Sequence, residues 1–239
     1  MLFGALIAVV VLAVQNVPRL PQQPRIEIPE GVPPVPGTPV PPIDVNGPGR
    51  TAALLREWAE PQAEQLGIPV TALEAYGHAA AVLAAGDPGC GLAWTTLAGI
   101  GSVESRHGQH DGASLAADGT VSPAIRGIPL DGRPGVAEIR DTDGGRLDGD
   151  PLLDRAMGPM QFIPETWENW GVDANGDGVA DPDNIDDAAL TAGRYLCARG
   201  GDLTTAEGWT RALMAYNYSS DYLMLVRDRA AAYGVGVRP

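Results

Sequence analysis

The stretch Leu92-Ala93-Trp94-Thr95-Thr96-Leu97-Ala98-Gly99-Ile100-Gly101-Ser102-Val103-Glu104-Ser105-Arg106-His107-Gly108 decides how this chain is read. Its apolar residues recur at helical spacing, which predicts one helix of roughly four turns. Leu97, Ile100 and Gly101 precede Glu104 by seven, four and three residues, so all four share one helix face. That face is otherwise apolar and is expected to be buried. A carboxylate placed there is desolvated, which disfavours its charge and raises its pKa. Gly108 is the expected stop of the helix, which sets Glu104 near the negative end of the dipole and pushes the same way. A carboxyl kept protonated near neutral pH is what general acid catalysis needs. On its own, however, a single helical Glu is more often a surface residue than an acid.

Composition bounds the rest. The chain has 239 residues and a net charge of −14, with no Lys and 16 Arg. That acidity excludes nucleic acid as the expected partner, because phosphate binding calls for a basic face. The segment 131–187 carries 15 Asp and Glu against 4 Arg, which holds 11 of the 14 excess negative charges. Such a concentration points to a cation site or a solvated acidic loop. Met1 to Val14 is apolar and uncharged, as in a signal peptide or signal anchor, so residues 1–17 are assigned that role and membrane attachment. Residues 18–48 hold 11 of the 22 prolines. Residues 18–49 are therefore expected to be an extended, solvated extracytoplasmic linker. The domain proper is expected over 50–239. Its two cysteines, Cys90 and Cys197, are predicted to form a disulfide in an oxidising compartment.

From Arg50 onward helix signals dominate. Helices are expected over Thr51–Leu66 with a break or kink at Pro61, Thr71–Ala85, Leu92–His107, Pro164–Trp170 and Asp187–Arg199. A capping box at Thr204-Thr205-Ala206-Glu207 opens a further helix to about Tyr218, and Ser220 caps a last one through Tyr233. Residues 108–155 lack a sustained period and read as a long loop with a short hairpin. The expected class is mainly α.

Asp173-Ala174-Asn175-Gly176-Asp177-Gly178-Val179 matches the first half of an EF-hand loop. Oxygen donors stand at Asp173, Asn175 and Asp177, Gly178 permits the turn, and Val179 offers its carbonyl. The twelfth position is Asn184 rather than Glu, so the closing ligand must be Asp186 or Asp187. Hard oxygens without His or Cys favour Ca²⁺ over zinc. Asp141-Thr142-Asp143-Gly144-Gly145 is a weaker echo, read as an acidic loop.

Three motifs together resemble the lytic murein transglycosylase B-type family of soluble lytic transglycosylases, over roughly Leu66 to Tyr233, in a layout similar to actinobacterial members. Glu104-Ser105-Arg106-His107-Gly108 resembles the family's catalytic segment. Gly158-Pro159-Met160-Gln161-Phe162-Ile163-Pro164 resembles its Gly-x-x-Gln-Phe-x-Pro cleft motif. Asp173 to Asp187 resembles its lengthened EF-hand loop, and that match selects Asp187 as the closing ligand. Tyr195 falls where the family has an active-site tyrosine, and Tyr216, Asn217 and Tyr222 resemble its Tyr-Asn…Tyr pattern. A cleft Ser of some members has no counterpart around Leu152-Leu153-Asp154-Arg155.

The resemblance implies a lysozyme-like α domain with a long loop insertion and a structural calcium. It further implies a monomeric, extracytoplasmic enzyme that acts on peptidoglycan glycan strands, cleaving the MurNAc–GlcNAc β-1,4 bond to 1,6-anhydromuramoyl products. Glu104 would serve as acid and then as base, with Gln161, Tyr195, Tyr216, Asn217 and Tyr222 binding substrate. Two alternatives stand beside it. One is a hydrolytic muramidase, in which an Asp such as Asp154 activates water. The other is a non-catalytic, calcium-dependent cell-wall binding module.

Overall fold

The computed structural model describes residues 26–239. The apolar segment 1–17 and the first prolines lie outside the described residues. The architecture is mainly α-helical, with seven α-helices and one two-stranded ribbon among those residues. A 3₁₀ turn at Thr51–Leu55 leads into α1 (Arg56–Leu66), α2 (Val70–Gly86) and α3 (Trp94–Ser105). After the ribbon β1 (Ser114–Leu115) and β2 (Val121–Ser122) come α4 (Pro164–Trp170), α5 (Ile185–Gly200), α6 (Ala206–Tyr216) and α7 (Ser220–Gly234). Pro61 lies inside α1 and does not end it.

Helix α3 is the central rod, and two of its glycines let its neighbours approach. A Cβ on Gly99 would stand 2.8 Å from the Val226 carbonyl of α7. A Cβ on Gly101 would stand 2.0 Å from the Tyr76 hydroxyl of α2. Leu97, Ile100 and Trp94 fill the core around it, as the apolar face requires. The disulfide joins Cys90 to Cys197 with Cα atoms 5.3 Å apart, tying the entry to α3 to the end of α5.

Several local readings are corrected by cap chemistry. The last helical residue of α3 is Ser105, and the left-handed turn that ends it begins at Arg106 (φ 53°) and His107 (φ 61°) before reaching Gly108. Thr205, not Thr204, caps α6 by accepting from the Gly208 N–H. Ser219, not Ser220, caps α7 through the Tyr222 N–H. Helix α5 begins at Ile185 with Asn184 as its cap, accepting from the Asp186 N–H. That explains why Asn184 stands where an EF-hand would have its closing Glu: the side chain starts a helix.

The proline-rich segment departs further from expectation. Over residues 30–45 it is a strap laid on the helices rather than a solvated tether. Its carbonyls have no partners within an extended proline-rich chain, so they accept from the domain. Trp94 Nε1 donates to Thr38 O at 2.9 Å, Thr95 Oγ1 to Val35 O at 3.3 Å, and Arg227 to Glu30 O at 3.2 Å. Val32 and Val40 pack on the core, and Pro34 is buried. The strap ends at Arg50, whose guanidinium binds Glu74 Oε2 at 2.5 Å and Asp186 Oδ2 at 2.6 Å. Both carboxylates are fully buried, so the start of the domain is pinned to α2 and α5 together.

Candidate active site

Glu104 projects from the last turn of α3 into a cleft of about 540 Å³. Gln161, Tyr195, Tyr216 and Asn217 line the same cleft, so four of the five expected substrate-binding residues meet the expected acid there. The fifth, Tyr222, reaches Glu104 directly: its hydroxyl donates to Oε1 at 2.5 Å. Burial pushes the Glu104 carboxyl up from 4.5 to about 7, and the Tyr222 hydrogen bond pulls it partly back. Glu104 is the single carboxylate among the described residues that line this cleft.

The groups around it are positioned by a short chain of contacts. Ser105 Oγ donates to Pro159 O at 2.7 Å and accepts from the Gly108 N–H at 2.7 Å. It thereby clamps the end of α3 to the turn that presents Gln161. That turn is a tight hairpin in which Met157 and Phe162 exchange both backbone hydrogen bonds, at 2.8 and 3.0 Å. Gly158 has φ 69°, and a Cβ there would fall 1.8 Å from the Pro182 carbonyl, so only glycine allows the close approach. Gln161 is itself left-handed (φ 51°), with Nε2 donating to Gly158 O at 2.9 Å. A non-Gly residue held there is strained, and the hairpin supplies the constraint.

The tyrosines are arranged differently from a set of free hydroxyls awaiting sugar. Tyr216 stacks on Tyr222 with centroids 6.5 Å apart and planes 8° from parallel, while its hydroxyl donates to Met160 O at 2.7 Å. Tyr195 meets Tyr216 edge-on at 6.0 Å and donates to Ala215 O at 3.0 Å. Their rings form a cleft side, and their hydroxyls hold backbone. Asn217 is exposed at the end of α6.

Two further supports stand beside these residues. His107 is buried between two phenols, with Nδ1 3.1 Å from the Tyr76 hydroxyl and Nε2 3.0 Å from the Tyr233 hydroxyl. Burial lowers its pKa to about 3, so the imidazole is neutral and bridges α2 to α7 across the foot of α3. The second is the insertion, which lines the cleft through Ile128, Leu130, Val136 and Ile139. The alternation of apolar residues at Ile128 and Leu130 was the signal for it.

Asp154, the residue considered for activating water, lies outside this cleft lining. Its Oδ1 accepts from the Thr142 N–H at 2.9 Å, and its Oδ2 from Thr142 Oγ1 at 2.8 Å. Asp141, Asp143 and Asp154 bring carboxylate oxygens within 4.8 Å of one another. Asp141 and Asp143 are occupied with backbone N–H groups of Gly144, Gly145 and Leu147.

In the 173–187 loop, Asp187 Oδ1 accepts from Ala174 N at 2.7 Å and Asn175 N at 3.2 Å, and Oδ2 from Asp181 N at 2.9 Å. Asp173 accepts from Gly176 N and Gly178 N, and Asp177 from Val179 N. The loop is thus closed onto the first turn of α5 by Asp187, while Asp186 is committed to Arg50.

Comparison with known proteins adds one match. Residues 154–212 match the family model described as Transglycosylase SLT domain. No curated protein and no solved structure matches the chain. The matched segment holds Gln161, the 173–187 loop and Tyr195, and begins after Glu104. The mainly helical architecture is consistent with a lysozyme-like domain of that kind.

Proposed function

We propose that this protein is a peptidoglycan lytic transglycosylase working with a single carboxyl group, Glu104. The observation that carries this reading is a cleft whose one lining carboxylate among the described residues is held up to about 7. Ordinary glycosidases pair two carboxylates, one protonating the leaving oxygen and one serving attack by water or by itself. Here the second is lacking among the described lining residues, and Asp154 is spent on Thr142. A pKa near the working pH suits one group to both proton transfers. Glu104 protonates the glycosidic oxygen between MurNAc and GlcNAc, and the C4 hydroxyl of the departing sugar leaves. The muramoyl acetamido oxygen supports the positive charge growing at C1. Ionised Glu104 then takes the proton from the same sugar's C6 hydroxyl, whose oxygen bonds to C1 and closes the 1,6-anhydro ring. Protons balance and no water is consumed, so the site benefits from excluding it. The match to the transglycosylase SLT domain supports the substrate class.

Tyr222 orients the carboxyl and Gln161 faces the sugar across it. Tyr195 and Tyr216 supply ring faces, and Asn217 stands at the mouth. The oxygen-only donor set of Asp173, Asn175, Asp177, the Val179 carbonyl and Asp187 fits Ca²⁺. The ion would add rigidity between the loop and α5 and take no part in proton transfer. We infer an extracytoplasmic location, with residues 1–17 as signal peptide or membrane anchor. No helix among the described residues is long and apolar enough to cross a membrane. The test is product analysis of digested peptidoglycan by mass spectrometry. Anhydromuropeptides are expected from the wild type and none from Glu104→Gln; persistence in the variant refutes the role.

A further inference from the structure

The insertion lines the cleft beside Glu104 and Gln161. Three extended pieces of it are knitted together: Gly127 N donates to Ala156 O at 2.8 Å, Ile139 N to Leu130 O at 2.9 Å, and Asp154 N to Ile139 O at 3.1 Å. Arg126 anchors the ribbon to Asp183, before α5, through two bonds of 2.7 and 2.8 Å. In extended chain, side chains two apart share a face. Ile128 and Leu130 accordingly point into the cleft, joined by Ile139 and, from the tip, Val136 and Ala137. Ile128 is 55% exposed, so this aliphatic surface faces water. The rings of Tyr195 and Tyr216 line the same cleft.

We propose that this ribbon is a specificity wall that reads the acetamido methyl groups of an N-acetylated amino-sugar strand. The proposal rests on the glycan-cleaving reading above and deepens it. The five wall residues offer no polar side chain. A sugar turning a bare hydroxyl or ammonium toward them would lose water without gaining a partner. A methyl placed there loses only apolar surface, at about fourfold in affinity for each methyl buried. The wall is continuous with Gln161, since a Cβ on Gly127 would lie 3.2 Å from its Oε1. Whatever sugar Gln161 holds therefore lies against the ribbon.

The experiment measures equilibrium binding of soluble peptidoglycan strands by the full chain carrying Glu104→Gln, so that nothing is turned over. The probes are N-acetylated strands, the same strands chemically de-N-acetylated, and a re-acetylated control. The wall variant is Ile128→Ser with Val136→Ser, and Ile128→Thr alone serves if the double variant lowers the melting temperature. The ratio of variant to parent affinity on each polymer cancels the attraction of a cationic strand to this acidic protein. The double variant is expected to lose about tenfold on acetylated and re-acetylated strands and less than twofold on de-acetylated ones. Equal losses on all three polymers, or no loss on the acetylated strands, overturn the specificity wall. Failure of the parent to bind any strand instead refutes the glycan-cleaving reading on which it rests.

Discussion

Replacing Glu104 with Gln should make the protein more stable at neutral pH, by an amount that depends on pH in a defined direction. The folded carboxyl titrates at about 7 and the unfolded one at 4.5. Below pH 4.5 both states carry the proton, and the substitution changes little. As pH rises from 4.5 to 7 the unfolded state ionises first, so wild-type stability falls through that window. Above 7 both states are ionised, and a fixed penalty remains. A shift of this size corresponds to about 3 kcal/mol. Gln keeps an oxygen that can accept from Tyr222, so the hydrogen bond survives the change. The variant should therefore match the wild type near pH 4 and exceed it by about 2–3 kcal/mol at pH 8, or roughly 5–10 °C in melting temperature. Denaturant midpoints across that pH range, with the disulfide intact, provide the assay. A variant no more stable than the wild type at pH 8, or a difference that does not vary with pH, would show that burial does not hold the carboxyl up.

Tyr222→Phe removes the donor that partly offsets burial, so the alkaline limb of the pH–rate profile should move up by about one unit; an unmoved limb would place Tyr222 outside the proton chemistry. Reducing the Cys90–Cys197 bond, which spans 107 residues, should lower stability by about 4–5 kcal/mol in denaturant melts, and unchanged melts would deny it that role. Calcium at a hundred times its dissociation constant should stabilise the chelator-treated protein by about 2.7 kcal/mol, a response that Asp173→Ala should abolish; equal melting with and without calcium would remove the ion from the account.

What the sequence made legible was periodic or ordered by spacing. The helix bearing Glu104 stood out because Leu97, Ile100 and Gly101 repeat at 3.6-residue spacing, and the Asp173–Asp187 loop because its donors alternate around a turn glycine. The ends of helices were less legible. Thr204 and Thr205, or Ser219 and Ser220, are chemically alike, and only the backbone course selects the cap. The tyrosines were found as residues but not in their roles. A tyrosine reads the same whether its hydroxyl meets a sugar or, like Tyr216, a carbonyl 56 positions away in the chain. The strap escaped for a related reason: proline runs report an extended chain and say nothing of what lies beside it. The His107 bridge joins residues 31 and 126 positions apart, and no local pattern carries that information.

The claim that one carboxyl does the work of two is tested most directly by digesting peptidoglycan in water enriched in heavy oxygen and weighing the muropeptides released. Intramolecular ring closure predicts 1,6-anhydromuramoyl ends that carry no solvent oxygen. Reducing ends bearing the heavy isotope would contradict it, because they would require a water in the cleft and a second group to activate it.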